Sequence, residues 1–273
     1  MTRWAAFAGI TLAVLSLLLV LARVSQSAVG GPHLPEERRR LNRLEDGAGH
    51  LDATATTPSD HRSPAAATLE GSPPEPTTVA LLANVTVSHS LFAVLLLFGI
   101  WLTGVPASAL GVTAAPVSTG PFGVVVGVGL GVAISLANTM AAGLADVFDA
   151  DPSRELRGLL APDSAGGWVL LLGVVLPVIA GFEELLFRAA LVGGFAAGFG
   201  VSPWLLAVLS SVAFAAGHGA QGTLGIVVTA LLGLALAVAF VLTDSLLVVV
   251  VAHYVVNAAE FVVAEGLGWE PFG

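Results

Sequence analysis

The sequence predicts an all-α fold, a polytopic membrane helix bundle of about seven transmembrane helices, and three observations predict it. Of its 273 residues 56% are hydrophobic and only 11% charged, whereas a soluble domain carries about 25% charged residues. Mean hydropathy is +0.91. Several apolar stretches reach the roughly 20 residues needed to cross about 30 Å of hydrocarbon at about 1.5 Å per residue.

Residues 4–22 are apolar and follow a short end containing Arg3. They read as a first span or as the apolar part of a signal peptide, and their length favours a span or uncleaved anchor, so 1–22 is taken as one unit. From 23 to 78 the composition turns to Pro, Glu, Asp, Arg, Ser and Thr, including the run Arg38, Arg39, Arg40. This predicts a disordered polar linker. It holds most of the arginines, so the positive-inside rule puts it in the cytoplasm and the N-terminus outside.

Residues 79–160 are expected to hold transmembrane helices, with spans at 79–103 and 120–147 separated by a loop carrying Pro106 and Pro116. A polar loop with Arg154 and Arg157 follows, from Phe148 to about Gly166. The segment 161–268 forms the last unit. Its first apolar region, 167–199, is too long for a plain span and reads as a long tilted helix or as two pieces broken near Gly193 and Gly194. Ser202 and Pro203 signal a helix start, with a capping side chain and then Pro at the first helical position; that helix should end near Gly217. Spans at 222–242 and 245–264 follow, with Thr243 and Asp244 as a polar cap between them. No internal repeat is evident.

The formal charge is -9, and all ten basic residues are Arg. Nucleic acid is excluded as a partner on this balance. With no Cys, the chain has neither a disulfide nor a thiolate nucleophile or ligand, and any metal must rest on His and carboxylate.

Glu183, Glu184 and Arg188 interrupt the apolar run 167–199. A charge at the centre of a span costs about 2.5 to 3.5 kcal/mol, so the three cost about 8 to 10 kcal/mol before pairing, against about 0.3 to 0.6 returned by each Leu, Val or Phe. They must therefore face a polar interior or one another. Glu184 and Arg188 are four apart and can pair along a helix, while Glu183 points about 100° away and is free for another task. His218 closes the helix from 203 to 217 with Phe214 on its face, and His253 shares a face with Asn257. If these helices pack together, the result is a buried cluster of carboxylate, imidazole, amide and guanidinium groups. A carboxylate in a poorly solvated pocket is a stronger general base for water than one in bulk solvent, and hydrolysis is a reaction such a cluster can perform.

Three motifs stand in order along the chain: Glu183-Glu184-Leu-Leu-Phe-Arg188 as EExxxR, Phe214-Ala-Ala-Gly-His218 as FxxxH, and His253-Tyr-Val-Val-Asn257 as HxxxN. Together they resemble the CPBP family of intramembrane metalloproteases, named for CAAX-prenyl and bacteriocin processing. The resemblance covers about 165–264, and no motif position departs from the pattern. It implies a membrane-embedded endopeptidase in which Glu183 and His218 activate the attacking water while His253 and Asn257 bind the water, the oxyanion or a metal. Glu184, Arg188 and Phe214 would hold the shape of the site. Glu183, His218 and His253 would supply a His2Glu set for a divalent metal such as zinc, and the same residues would equally serve a metal-free glutamate and histidine mechanism. The implied partners are the lipid bilayer and a protein or peptide substrate in or at the membrane, prenylated or not, with the cell membrane as the expected location.

Blander readings stand beside these. The glutamate and arginine cluster would alternatively be a helix-packing salt bridge, and His218 and Asn257 would alternatively bond neighbouring helices. His89 shows no partner in the sequence and is read as interfacial or structural. Glu260, on the face of His253 and Asn257, is read as reaching the site's edge. On the same fold a non-catalytic scaffold or immunity protein would also keep these helices, and a proton-coupled transporter would also keep buried carboxylates and histidines, although no repeat supports the latter.

Overall fold

The computed structural model describes residues 1–29, 77–145 and 157–268. The linker expected over 23–78, and Arg154 with most of the loop after Phe148, lie largely outside the described residues. Met1–Arg23 and Thr77–Gly273 belong to one compact unit. Seven apolar helices build it: α1, Trp4–Val29; α2, Thr78–Thr103; α3, Pro121–Ala145; α4, Ala165–Phe199; α5, Pro203–Gly217; α6, Gly222–Thr243; and α7, Leu246–Gly266. Six are long and apolar enough to span a membrane, and α5, at 15 residues, is the short one.

Local chemistry sets the ends. Lipid offers backbone groups no partner, so caps matter more than in water. Thr77 accepts a hydrogen bond from the Ala80 N–H at the start of α2, and Gly104 closes that helix in the left-handed conformation at φ 70. Ser164 caps α4 through the Gly167 N–H, and Ser245 caps α7 through the Val248 N–H. Asp244 ends α6 in left-handed geometry, its N–H donating to Phe240 O at 2.8 Å. Pro203 opens α5 as expected, but Ser202 makes no side-chain cap; proline alone starts that helix.

The long apolar region resolves as one continuous helix, so the break near Gly193 and Gly194 is not found. Two wide turns of π-helix, Leu171–Val175 and Leu185–Gly194, lie within it. The first immediately precedes Pro177, whose ring would clash with the carbonyl four residues back in a regular α-helix. The second carries Arg188 and begins directly after the paired glutamates, a placement that π-bulges often take at functional sites. Gly193 and Gly194 serve close approach: a Cβ on Gly193 would collide with Ala109 O, and one on Gly194 would stand 2.6 Å from the Phe7 ring.

Half of the most apolar window of α4 is buried, against 17–28% for the other spans. α4 is thus the central helix, packed by α2, α5, α6 and α7, while the others turn Leu, Val and Phe outward to lipid. Phe182, Leu186, Phe187, Ala189 and Ala190 form its innermost face.

α7 is held against α3 by small residues. A Cβ at Gly127 would meet Val248 O at 2.8 Å and Val251 Cβ at 2.7 Å, and one at Gly131 would meet Ala252 O at 2.8 Å. Backbones this close are gained by van der Waals packing, since lipid supplies no hydrophobic drive between helices. Because His253 adjoins Ala252 on α7, the α3 contact also sets the depth of that imidazole. Gly127→Val is expected to cost about 1 to 3 kcal/mol by overpacking, seen as a lower melting temperature of the detergent-solubilised protein; an unchanged melting point would show that the two helices separate freely.

Candidate active site

Glu184 and Arg188 are fully buried on α4, and Arg188 Nη1 donates to Glu184 Oε1 at 2.7 Å, as their spacing predicts. Arg188 Nη2 donates to Gly233 O on α6 at 2.9 Å, and the guanidinium lies 4.7 Å from the centre of the Phe214 ring on α5. His253 Nδ1, from α7, donates to the same Glu184 Oε1 at 2.7 Å. One carboxylate oxygen therefore ties α4 to α7, and Arg188 extends the hold to α6. Among the described residues Glu184 Oε2 and Arg188 Nε are buried without a partner, so the contacts of the carboxylate rest on Oε1.

Glu183 turns the other way, with 10% of its side chain exposed. His253 Nε2 stands 3.6 Å from its Oε2, and His218 Nε2, from the end of α5, 4.0 Å from its Oε1. A third imidazole is present that the sequence reading did not place here: His89 Nε2, from α2, lies 3.7 Å from Glu183 Oε1. All three distances exceed the 2.7–3.2 Å range of a direct hydrogen bond and suit a bridging water.

The tautomers follow from the other ring nitrogens. His89 Nδ1 lies 2.9 Å from Val85 O and His218 Nδ1 2.8 Å from Phe214 O. A carbonyl oxygen only accepts, so each Nδ1 carries the hydrogen, and in the neutral ring Nε2 is left with a lone pair. The ion-paired Glu184 imposes the same tautomer on His253. With the rings neutral, three lone pairs face the Glu183 carboxylate.

Phe214 is buried under this cluster, its ring centre 4.5 Å from that of His218 and 6.0 Å from that of His253. Asn257 is half-buried on α7, one turn past His253. Glu260, read as reaching the site, does not: its carboxylate binds Arg157 Nη1 at 2.8 Å, and half of its side chain is exposed. Arg157 also binds Glu265 through Nε at 2.9 Å, so the loop before α4 is pinned to the end of α7. Burial disfavours the charged guanidinium of Arg157, but hydrogen bonds and charge from Glu265 and Glu260 outweigh it and hold its pKa above the ordinary value. Helical periodicity placed Glu260 on the right face; the nearby guanidinium then drew it away. His89 had no motif and no neighbour in sequence, and the only signal was a lone imidazole in an apolar span, which membrane helices seldom carry without purpose.

Fold and site together define a multi-pass integral membrane protein with paired glutamates and imidazoles on separate packed helices. Residues 165–259 match the family described as Rce1-like, type II CAAX prenyl endopeptidase. All three motifs, Glu183 to Asn257, fall within that match, and the CPBP resemblance agrees with it: this part of the chain is similar to the Rce1-like CAAX endopeptidase family. No curated protein and no solved structure matches the chain.

Proposed function

We propose that the protein is an endopeptidase of the cell membrane that hydrolyses a peptide bond in a membrane-associated or prenylated protein or peptide, using water activated by Glu183 and His218. The observation that carries this reading is the Glu183 carboxylate, barely open to the outside, opposite the Nε2 atoms of His218 and His253 at 3.6–4.0 Å. Water beside Glu183 attacks the carbonyl carbon as one of its protons passes to Glu183. The carbonyl oxygen becomes an oxyanion, to which the Asn257 side-chain amide donates. His218 Nε2 relays the proton from Glu183 to the leaving nitrogen as the C–N bond breaks. Glu184, held by Arg188, keeps the His253 ring in one orientation.

A divalent metal such as zinc, held by Glu183, His218 and His253, is the second reading, and the lone pairs facing the carboxylate favour it. The spacing does not. Around zinc with bonds of about 2.0–2.1 Å, tetrahedral donors stand about 3.4 Å apart, and among the described residues no three such groups are arranged to hold a metal ion. No step is therefore routed through a metal. Metal analysis of the purified protein, with activity measured after chelation, decides the matter: a stoichiometric metal whose removal abolishes cleavage would replace the mechanism above.

The function itself is tested by comparing protein N- and C-termini across cells carrying the native chain or Glu183→Ala at matched expression. Specific cleaved termini that vanish in the variant name the substrate. If none changes, while loss of the whole protein gives a phenotype that Glu183→Ala rescues, a scaffold on the same fold is the better account.

A further inference from the structure

Resting on the hydrolytic reading above, we propose that His89 is a catalytic residue: its Nε2 accepts a hydrogen bond from the attacking water and aims that water, while Glu183 takes the water's other proton. The geometry comes from three contacts. The Nδ1–H···O bond to Val85 fixes the tautomer of the neutral ring, whose Nε2 is then an acceptor. The ring stands edge-on to Phe182, with centres 5.5 Å apart and planes at 86°, so it cannot turn without losing that contact. Nε2 then points at Glu183 Oε1 across 3.7 Å.

With the ring neutral, two acceptors facing each other at this distance repel unless a donor bridges them, and one water has the two hydrogens required. His89 keeps 19% of its side-chain surface exposed and Glu183 keeps 10%, so the space they share is not closed off by protein. A histidine serving only to pack α2 on α4 would need its apolar edge and its Nδ1 bond. With one hydrogen directed to Glu183 and the other to His89, the water's free lone pair is held toward the third side, where a scissile carbonyl would stand. Positioning of this kind is part of what makes attack on a bound carbonyl fast.

His89→Asn and His89→Gln separate this role from packing. The Asn amide N–H can replace Nδ1–H at Val85 but presents no acceptor at the Nε2 position; the longer Gln places its amide oxygen there. Full-length protein carrying each change, and Glu183→Gln as reference, would be expressed at matched levels in cells lacking the native copy, and protein termini quantified. Melting of each purified variant reports the fold. Termini that depend on Glu183 are expected to fall at least about tenfold in His89→Asn and to stay within about threefold of native in His89→Gln, in line with loss and retention of a group contacting the reacting water. Should His89→Asn melt lower, His89→Phe, which keeps the ring against Phe182 and lacks any acceptor, is expected to show the same loss. Native termini in His89→Asn or His89→Phe, or equal losses in Asn and Gln, overturn the role of His89 while the Glu183 dependence keeps the protease reading standing. If no terminus depends on Glu183, the protease reading fails and the role of His89 falls with it.

Discussion

Glu183→Gln is expected to lower peptide-bond cleavage by about 10²- to 10⁴-fold, the usual worth of a positioned general base, while the protein folds and inserts as before. Gln has the same length and shape but takes up no proton from water at neutral pH. Among the described residues none of the imidazoles stands closer than 3.6 Å to this carboxylate, so the change breaks no direct hydrogen bond to them. Replacing a charge in a poorly solvated site by an amide also removes a desolvation cost, so the melting temperature should hold or rise. Turnover on the identified substrate and a melting curve on the same preparation check both halves. Cleavage within about tenfold of native would remove Glu183 from the proton-transfer step.

Arg188→Leu should act in the opposite manner, on the fold before the chemistry. The guanidinium is fully buried, and its loss leaves the Glu184 carboxylate charged and enclosed, which costs about 3 to 5 kcal/mol when one partner of a buried pair is removed. The bond to Gly233 O and the contact over Phe214 disappear with it, adding about 1 to 2 kcal/mol. Low yield of folded protein or a sharply lower melting point is expected. The double variant Glu184→Leu, Arg188→Met removes both charges and should recover most of the stability, as apolar replacement of buried pairs often does. Activity should stay low, because His253 Nδ1 has then lost the acceptor that fixes its tautomer. A loss under about 1 kcal/mol for Arg188→Leu would mean that Glu184 is neutral or otherwise compensated and that the pair does not organise the site.

The sites read most reliably from sequence are those where the governing interaction is local. Glu184 and Arg188 pair because i and i+4 share a helix face, and Phe214 meets His218 for the same reason. The region 167–199 shows where local reading stops: it left a long helix and a break at two glycines both open, and the structure has the long helix, widened beside Pro177 and after the glutamates, with those glycines admitting Ala109 and Phe7. Glu260 sat on the correct face but one ion pair too far, because Arg157, some hundred residues away in sequence, lies next to it in space.

The sequence by itself determined that this is a multi-pass helical membrane protein, where its apolar helices run, and that three of them carry glutamate, imidazole and amide motifs resembling those of CAAX endopeptidases. Hydropathy, caps and i, i+4 spacing are properties of single segments and need no knowledge of neighbours. Tertiary structure alone decided that His89 faces Glu183, that Glu260 does not reach the site, and that one oxygen of Glu184 binds both Arg188 and His253. Those outcomes depend on how closely helices approach and how each is rotated, which here follow from the small residues between α3 and α7 and the wide turns of α4. Contacts between segments are set by packing in three dimensions, and no periodicity within one segment encodes them.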